Sequence, residues 1–597
     1  MVGKKYTPLF PYFKDLDTAF RVCGDAYVTA DGGTGIVHQA PAFGEDDYRV
    51  CLAHDIIGKG EGIPCPVDDN GRFTAEVTEW KGKYVKDCDN EIAAVLKADN
   101  RLIVKENYAH SYPFCWRSDT PLIYKAVPSY FVNVVAIKEK LMANNDKTYW
   151  VPNFVKEKRF HNWLADARDW AISRNRFWGT PIPLWVSDDL EEMVAVGSVE
   201  ELYELSGVRV TDLHKDSIDH ITIPSKEGRG DLNRIEEVFD CWFESGSMPY
   251  AQQHYPFENK EKFENGFPAD FVAEGLDQTR GWFYTLMVIS TALFDKPAFK
   301  NLIVNGLVLA ADGKKMSKRL LNYPDPSIII DGQGSDALRL YLINSPVVRA
   351  DTLRFQEEGV QEVVRGVLIP WFNAFRFFVQ SVERFEKGRG GAKFVPSDAE
   401  ARASTDELDI WVLASVNGLI AFVHQEMKVY RLYTVVPRLL AFIDELCNWY
   451  VRLNRDRLKG INGAADAQVG LSVLYYVLLS MSQIMSPFTP FFSEYLYQHL
   501  RKWNAMFGNT DPAVPVDVMG KADSVHYLML PDTDESRINE RAVQRFTVLQ
   551  SAVQLVRLAR ERRGIRANYP LKEVIVVAAD ADDVEALNHL KSQVCHA

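Results

Sequence analysis

Residues 269–309 read ADFVAEGLDQTRGWFYTLMVISTALFDKPAFKNLIVNGLVL. Two apolar runs of strand length, 269–273 and 301–309, flank a longer helix-like run at 278–293. Strand, helix and strand at that spacing predict a βαβ unit, the building block of a parallel sheet covered by helices. Ligands of such sheets sit outside the carboxyl ends of the strands. The first strand ends in Glu274-Gly275-Leu276-Asp277-Gln278-Thr279-Arg280-Gly281-Trp282. Gly275 lets the backbone approach a ligand there, and the carboxylates can accept hydrogen bonds from ribose hydroxyls or a substrate ammonium. The plain alternative is that Glu274 and Asp277 only cap the following helix.

The second strand leads through a turn at Asp312-Gly313 into Lys314-Lys315-Met316-Ser317-Lys318-Arg319. Clustered ammonium groups on a loop suit a polyphosphate, because they offset the charge that develops as an in-line attack expels pyrophosphate. Taken alone, a basic run is more often a solvated surface loop. Further on, Ile328-Ile329-Ile330 followed by Gly332-Gln333-Gly334-Ser335-Asp336-Ala337 fits a strand entering GxGxxA, the fingerprint of an NAD-dependent oxidoreductase. That reading needs a longer strand before Gly332 and an acidic residue after the next strand. The helix-like run 335–343 passes into Asn344-Ser345-Pro346 instead.

Working outward, residues 1–125 place Gly, Pro and Asp clusters between short β-branched runs such as Gly35-Ile36-Val37 and Leu102-Ile103-Val104, the texture of a β-rich module. The α/β alternation continues over 126–358. Beyond it, apolar residues at helical spacing, as in Leu408, Trp411, Val412, Val416, Leu419 and Val423, predict a helix bundle with exposed loops at 388–404 and 460–468. Residues 571–578 return to a strand-like pattern. A chain of 597 residues needs several cores. The net charge of -13 leaves any nucleic-acid binding to local basic patches. Eight cysteines without a CxxC pair predict no structural zinc and suit a reducing compartment. No stretch is expected to span a bilayer; the most apolar, 471–485, is interrupted by Ser472, Ser480, Ser482 and Gln483 as a buried helix would be. Residues 1–13 lack the apolar core of a secretory signal.

Several segments, in order, resemble one family, the class I aminoacyl-tRNA synthetases that carry branched aliphatic amino acids. Lys315-Met316-Ser317-Lys318-Arg319 is similar to their KMSKS signature, with Arg319 in place of the final Ser. Asp169-Trp170-Ala171-Ile172-Ser173-Arg174-Asn175-Arg176-Phe177-Trp178-Gly179-Thr180-Pro181-Ile182-Pro183 resembles the return from the editing insertion to the catalytic core. Asp240-Cys241-Trp242-Phe243-Glu244-Ser245-Gly246 resembles the next signature, and Asn448-Trp449-Tyr450-Val451-Arg452 the helical domain. The stretch from Glu274 through Trp282-Phe283-Tyr284 is similar to the isoleucine members rather than the valine ones. Arg319, followed by Asn322-Tyr323-Pro324-Asp325-Pro326, resembles the eukaryotic cytosolic and archaeal form. The resemblance covers essentially the whole chain.

The resemblance implies a multidomain protein. A β-rich part of an editing domain would fill 1–125, a partial Rossmann-like α/β catalytic core 126–358, an α-helical anticodon-binding bundle 359–563, and the start of a truncated C-terminal α/β domain 564–597. It implies a cytoplasmic isoleucine-tRNA ligase that activates isoleucine with ATP and Mg2+, charges tRNA(Ile) and hydrolyses mischarged valyl-tRNA(Ile). No membrane is expected, and a multi-synthetase assembly stays open as a partner. Lys315 and Lys318 would be the catalytic lysines, Lys318 contacting the ATP phosphates. Glu274, Gly275, Asp277 and Gln278 would hold the aminoacyl-adenylate, with Trp242 and Trp282 at the side-chain pocket, although either ring could equally be plain core. A pocket that accepts isoleucine rejects valine weakly, since one methylene is worth little; this pair is the standard illustration of that limit, and a second hydrolytic site follows from it. Residues 33–48, from Gly33 to Tyr48, resemble that site: Asp47 would pair with the free ammonium while His38 positions the ester or its attacking water. For tRNA, Arg452, Arg455 and Arg457, then Arg557, Arg560, Arg563 and Arg566 at spacing of three, would contact phosphates while aromatic rings stack on unpaired bases.

Two family segments are not found in the sequence, the HIGH signature and the Thr-rich stretch that completes the editing pocket. Both would precede Met1, so an incomplete chain with half of the ATP site is expected. A valine-specific ligase and a non-catalytic tRNA-binding fragment are the alternatives. The 597-residue chain by itself is expected not to catalyse isoleucine-dependent exchange of pyrophosphate into ATP; robust exchange in that assay would overturn the expectation.

Overall fold

A computed structural model describes the chain apart from residues 30–33, 59–61, 108, 116–117, 317–321, 567–568, 592 and 594–597. The backbone separates into two units, one of residues 1–132 and 170–240, the other of 133–169 and 241–597.

The first unit holds a four-stranded antiparallel sheet in the spatial order Met193–Ala195, Leu184–Val186, Asp231–Arg234 and Thr222–Pro224. Trp185, Ile223 and Leu232 bury one face of it against Leu202 of the helix Val199–Ser206. Side chains at the start of that helix cap it. Ser198 accepts the N–H of Glu201, and Glu201 reaches back to the N–H of Gly197, a reciprocal cap.

The β-rich texture of residues 1–125 does not become a sheet. Among the described residues of that stretch there are two α-helices, Glu45–Ala53 and Asp89–Ala98, a 3-10 turn at Val85–Asp87, and only isolated bridges, such as Lys5 to Arg21 and Val67 to Phe73. Ile36, Val37 and Val104 are exposed, and Ile103 is 95% exposed. β-branched residues favour strands where a neighbouring strand and a buried face receive them, and here the runs lie on the surface.

In the second unit the elements that build the site are, in chain order, β1 (Tyr149–Val151), α1 (Cys241–Gly246), β2 (Ala269–Gly275), α2 (Trp282–Phe294), β3 (Phe299–Asn305), β4 (Val308–Leu309), α3 (Pro326–Gln333), α4 (Ser335–Ile343) and β5 (Leu353–Arg354). The helices α5 (Ile369–Gly388), α6 (Glu407–Met427), α7 (Leu432–Glu445), α8 (Ala464–Met485), α9 (Pro490–Leu500) and α10 (Glu540–Arg562) follow. β2, β3 and β1 lie side by side, all parallel. α2 is the crossover between β2 and β3, and it is buried without interruption from Phe283 to Thr291, which explains why its sequence is apolar all round. Trp150 closes the core beneath it, with ring centroids 4.9, 5.7 and 6.1 Å from Phe160, Phe283 and Phe299.

Two runs are cut where the sequence reads as continuous. The helix-like run 278–293 divides at Gly281, with a 3-10 turn over Leu276–Arg280 before α2 begins. The strand-like run 301–309 breaks at Gly306, where a side chain would collide with the backbone of Asp351. Past that break β4 pairs in parallel with β5. Ile328, Ile329 and Ile330 lie within α3, and Gly334, at φ +86°, links α3 to α4. The GxGxxA match therefore has no strand before it, and the oxidoreductase reading fails.

In the bundle, α6 buries Leu408, Trp411, Val412, Val416, Leu419 and Val423, the face its spacing predicts. The expectation that no stretch is apolar enough to span a bilayer needs correcting, since α6 and α8 both reach that length and composition. Burial inside the bundle takes up 61% and 83% of their apolar windows, as in core helices. The two loops are shorter than expected: 388–404 contains the helix Asp398–Arg402, and α8 already starts at Ala464. Residues 571–578 form no strand; Ile575 and Val577 are 80% and 90% exposed.

One buried charge network ties the bundle together. Asp409 of α6 is fully buried and takes both terminal nitrogens of Arg457, at 2.9 and 2.8 Å. Tyr450 donates its hydroxyl to the same carboxylate at 2.7 Å, Ser404 donates at 2.6 Å, and Arg457 Nε reaches Asp466 of α8 at 2.7 Å. Removing one member of a buried pair leaves the other charge uncompensated, at a cost of about 3–5 kcal/mol. Asp409→Ala should therefore lower unfolding stability by that order in urea titration, while the double change Asp409→Leu with Arg457→Met should recover most of the loss. Unchanged unfolding of Asp409→Ala would contradict the network's role.

Candidate functional site

β2 and β3 end in register, Glu274 opposite Val304 and Gly275 opposite Asn305. Glu274 is exposed at that end. The chain then turns tightly, and the Asp277 carboxylate rests against Gly275, where an added Cβ would lie 2.6 Å from Asp277 Oδ1 and make that side chain shift. Gln278 donates to Asp277 Oδ2 at 3.3 Å and accepts the N–H of Trp282 at 3.1 Å. The first N–H of α2 thus goes to Gln278, rather than to the carboxylates that the capping alternative would use.

The two tryptophans come together across a glycine. Trp282 Nε1 donates to Ser245 O at 2.9 Å, which fastens α2 to α1. A Cβ on Gly281 would lie 2.8 Å from Gln278 Oε1 and 2.9 Å from the Trp242 ring. A Cβ on Gly246 would lie 2.8 Å from Ile289, so the two helices approach backbone to backbone. Trp242, Gln278, Gly281 and Trp282 therefore form one wall beside the end of β2. Their grouping needs the packing of α1 on α2, which no sequence spacing announces.

The lysine segment leaves from β4. Ala310 donates to Lys314 O at 2.9 Å, Gly313 donates to Ala310 O at 2.8 Å, and Lys314 donates its N–H to Asp312 Oδ1 at 3.0 Å. Gly313 sits at φ +80°, and Lys315 bridges back to Leu309. The turn expected at Asp312-Gly313 is present. Lys315 O accepts from Asn322 at 3.1 Å, and Asp325 caps α3 through the N–H of Ser327 at 2.9 Å. Ser317, Lys318 and Arg319 lie outside the described residues.

In the first unit, Asp47 lies in the first turn of the helix Glu45–Ala53, and its carboxylate folds back over Gly44, where any side chain would collide with it. Burial raises the Asp47 pKa, an effect partly offset by the N–H of Ala40 and by the nearby His38. Arg49 holds Asp25 through two bonds of 2.9 Å and Asp46 through two of 3.3 and 3.2 Å, and its bonds to Asp25, with the N–H of Tyr27, hold the Asp25 pKa down at about 2. Tyr27 lies under the Arg49 guanidinium, 5.8 Å from centroid to carbon, and bonds Gln39. The structure thus gathers His38, Asp47, Asp25, Tyr27 and Arg49. Sequence reading missed the last three, because the partner of Arg49 lies 24 residues upstream with no pattern between them. Gly33 lies outside the described residues.

The arginines divide. Arg452 and Arg455 are exposed, with Arg455 5.8 Å over the Phe377 ring. Arg457 is buried and bound to Asp409 and Asp466, which corrects its assignment to phosphate. Trp449 and Tyr450 are buried too, so neither offers a face to a base. Arg557 lies 5.7 Å over the Trp449 ring. Arg560 donates to Arg566 O at 3.1 Å and Tyr569 O at 2.8 Å, closing the end of α10 instead of facing outward. α10 ends at Arg562, so the spacing of three is no longer helical by Arg566.

A family model described as "tRNA synthetases class I (I, L, M and V)" matches residues 26–354, and one described as "Anticodon-binding domain of tRNA ligase" matches residues 409–576. The probable cytoplasmic isoleucine--tRNA ligase of Dictyostelium discoideum is 58% identical over 601 residues, covering 100% of this chain and 55% of that protein. The cytoplasmic isoleucine--tRNA ligase of Arabidopsis thaliana is 59% identical over 585 residues, covering 98% of this chain and 48% of that protein. The corresponding protein of Mus musculus is 56% identical over 594 residues, covering 99% of this chain and 46% of that protein. The chain spans about half the length of the curated relatives it matches. With more than half of its residues matched by the first family model, the chain belongs to the class I tRNA synthetases of the isoleucine, leucine, methionine and valine group.

Proposed function

We propose that this chain contributes to an isoleucine-tRNA ligase, supplying one side of the adenylate site, part of an editing site and the bundle that binds tRNA(Ile). The observation that carries the reading is the joint ending of β2 and β3, with an acidic turn directly after β2 and a lysine segment reached from β3 by way of Gly306 and β4. Identity of 56–59% to cytoplasmic isoleucine--tRNA ligases supports isoleucine over valine and a cytoplasmic setting. In this reading residues 126–358 are part of a Rossmann-like catalytic core, 1–125 part of the editing domain, 359–563 the anticodon-binding bundle and 564–597 the start of a further domain.

An isoleucine carboxylate oxygen attacks the α-phosphorus of ATP, the bond to the β-phosphate oxygen breaks, and pyrophosphate leaves. A ribose hydroxyl of the tRNA terminus then attacks the acyl carbon, and AMP leaves. Glu274 and Asp277 accept hydrogen bonds from the ammonium and ribose hydroxyls, and Gly275 keeps the backbone open to them. Gln278 holds the turn in place, and Trp242 and Trp282 wall the side-chain pocket. Lys315 and Lys318 offset charge on the departing phosphates. Mg2+ arrives with the triphosphate as part of the substrate. In the first unit Asp47, which accepts the N–H of Ala40, takes the ammonium of a mischarged valine while His38 orients the ester or water.

Arg452 and Arg455 are the phosphate contacts. The 597-residue chain should retain tRNA(Ile) on filters more tightly than tRNA(Val). Changing both arginines to alanine should weaken binding and flatten the dependence of log K on log salt by about 1.5, since each lost phosphate contact removes about 0.7–0.9 of slope. Equal retention of the two tRNAs would remove the support for isoleucine, and an unaltered salt slope would remove these two residues.

A further inference from the structure

Residues 21–25 run beside the helix Glu45–Ala53 of the first unit and are fastened to it on both sides of Cys23. Arg21 donates through Nη2 to His54 O, His54 Nε2 donates to Gly24 O at 3.2 Å, and Asp25 takes the Arg49 guanidinium. A few residues earlier Thr18 donates to Ile56 O at 3.1 Å. The segment is also held by its backbone, since Val22 donates to Lys4 O at 2.9 Å and accepts the N–H of Gly3 at 2.8 Å. Alternate residues of an extended segment point the same way. Arg21 and Asp25 both reach the helix, so Cys23, midway between them, faces it at a level between Arg49 and His54. Cys51 lies at that level.

The two thiols are near enough to act on each other: burial, then Asp47, then Cys23 push the Cys51 thiol pKa up. Cys51 is 3% exposed, Cys23 is half-buried, and both are free thiols. A small oxidant in solution therefore meets Cys23 first. Asp47 and Cys51 stand four residues apart in one helix, so they share a face, a single turn from each other. A bond made at Cys51 is made one turn from Asp47. In a reducing setting such a pair stays as thiols and closes only transiently, when oxidant rises.

We propose that Cys23 and Cys51 are a redox-active pair, which hydrogen peroxide closes to a disulfide that ties the segment 21–25 to the helix carrying Asp47. The Cys23 thiolate attacks one oxygen of the peroxide, the O–O bond breaks, and hydroxide leaves behind a sulfenic acid. Cys51 attacks that sulfur as its own thiol proton is lost, the S–O bond breaks, and water departs. Two thiols are oxidised, and one peroxide is reduced to two waters. Exchange with a small dithiol reverses the bond. The pairing stands without the tRNA-ligase reading; only its action on an editing carboxylate rests on that reading.

Peptide mapping of the 597-residue chain after peroxide, alkylation of the remaining thiols and digestion without reductant tests the pairing. The peptides holding Cys23 and Cys51 should appear joined, lighter by two hydrogens than their sum, in at least half of the oxidised chains, and dithiothreitol should return both to alkylatable thiols. Amide hydrogens of 45–53 should exchange about fivefold more slowly in the joined chain than in the reduced one. Cys23→Ser should lose both the joined peptide and the slowing, and the mapping of the unaltered chain decides the matter if that variant does not fold. Recovery of Cys23 and Cys51 on separate peptides, oxidised no faster than the exposed Cys241, would overturn the pairing. Equal exchange of 45–53 in the joined and reduced chains would overturn the tether. Neither outcome bears on the ligase reading, which tRNA retention on filters tests separately.

Discussion

Adjacent parallel strands cannot be joined by a tight turn; they need a crossover long enough to return the chain to the same end. α2 is that crossover, and its uninterrupted burial holds β2 and β3 parallel and ending at one level. Everything at the site follows from that shared level. The acidic turn over Leu276–Arg280 leaves from one strand, and the path through Gly306 to the lysine segment leaves from its neighbour. Glycines occur where the two paths run closest to their neighbours: Gly275 under the Asp277 carboxylate, Gly281 against the Trp242 ring, and Gly306 against the backbone of Asp351, where a side chain could not fit.

The bundle is fixed on this frame at separate places. At one, the loop after α6 meets the start of the sheet, where Tyr149 donates to Val429 O at 3.2 Å and Phe271 lies 5.9 Å from the Tyr430 ring. At another, α4 takes the α8–α9 corner through Asp336 and Arg339. Within the bundle the Asp409–Arg457 network holds α6 to α8. Burial and the Asp409 carboxylate raise the Tyr450 pKa well above its ordinary value, so its hydroxyl stays a donor in that network.

Local pattern was enough for much of this. The run 335–343 is α4 residue for residue, and the apolar spacing from Leu408 to Val423 marks the buried face of α6. Asp312-Gly313 is a turn because Gly313 supplies the positive φ it requires. What escaped the sequence depends on distant partners. Gly306 breaks a strand because Asp351 crosses it, and Arg457 turns inward because Asp409, 48 residues earlier, awaits it. An arginine bound to a carboxylate and one bound to phosphate have the same sequence signature. Likewise, Ile103 and Ile575 carry strand propensity with no sheet to receive them, and the wall of Trp242 and Trp282 depends on two helices meeting.

In the proposed function the acidic turn after β2 and the lysine segment after β4 serve one nucleotide. An ATP analogue with its aldehyde at the phosphate end, adenosine triphosphopyridoxal, forms imines with lysine amines that borohydride fixes, and its adducts on the 597-residue chain can be mapped by peptide mass spectrometry. Adducts should concentrate at Lys314, Lys315 and Lys318 and be suppressed by excess ATP, with that protection lost in Glu274→Ala/Asp277→Ala. Adducts scattered over the surface lysines, or protection by ATP that is indifferent to the loss of both carboxylates, would contradict it.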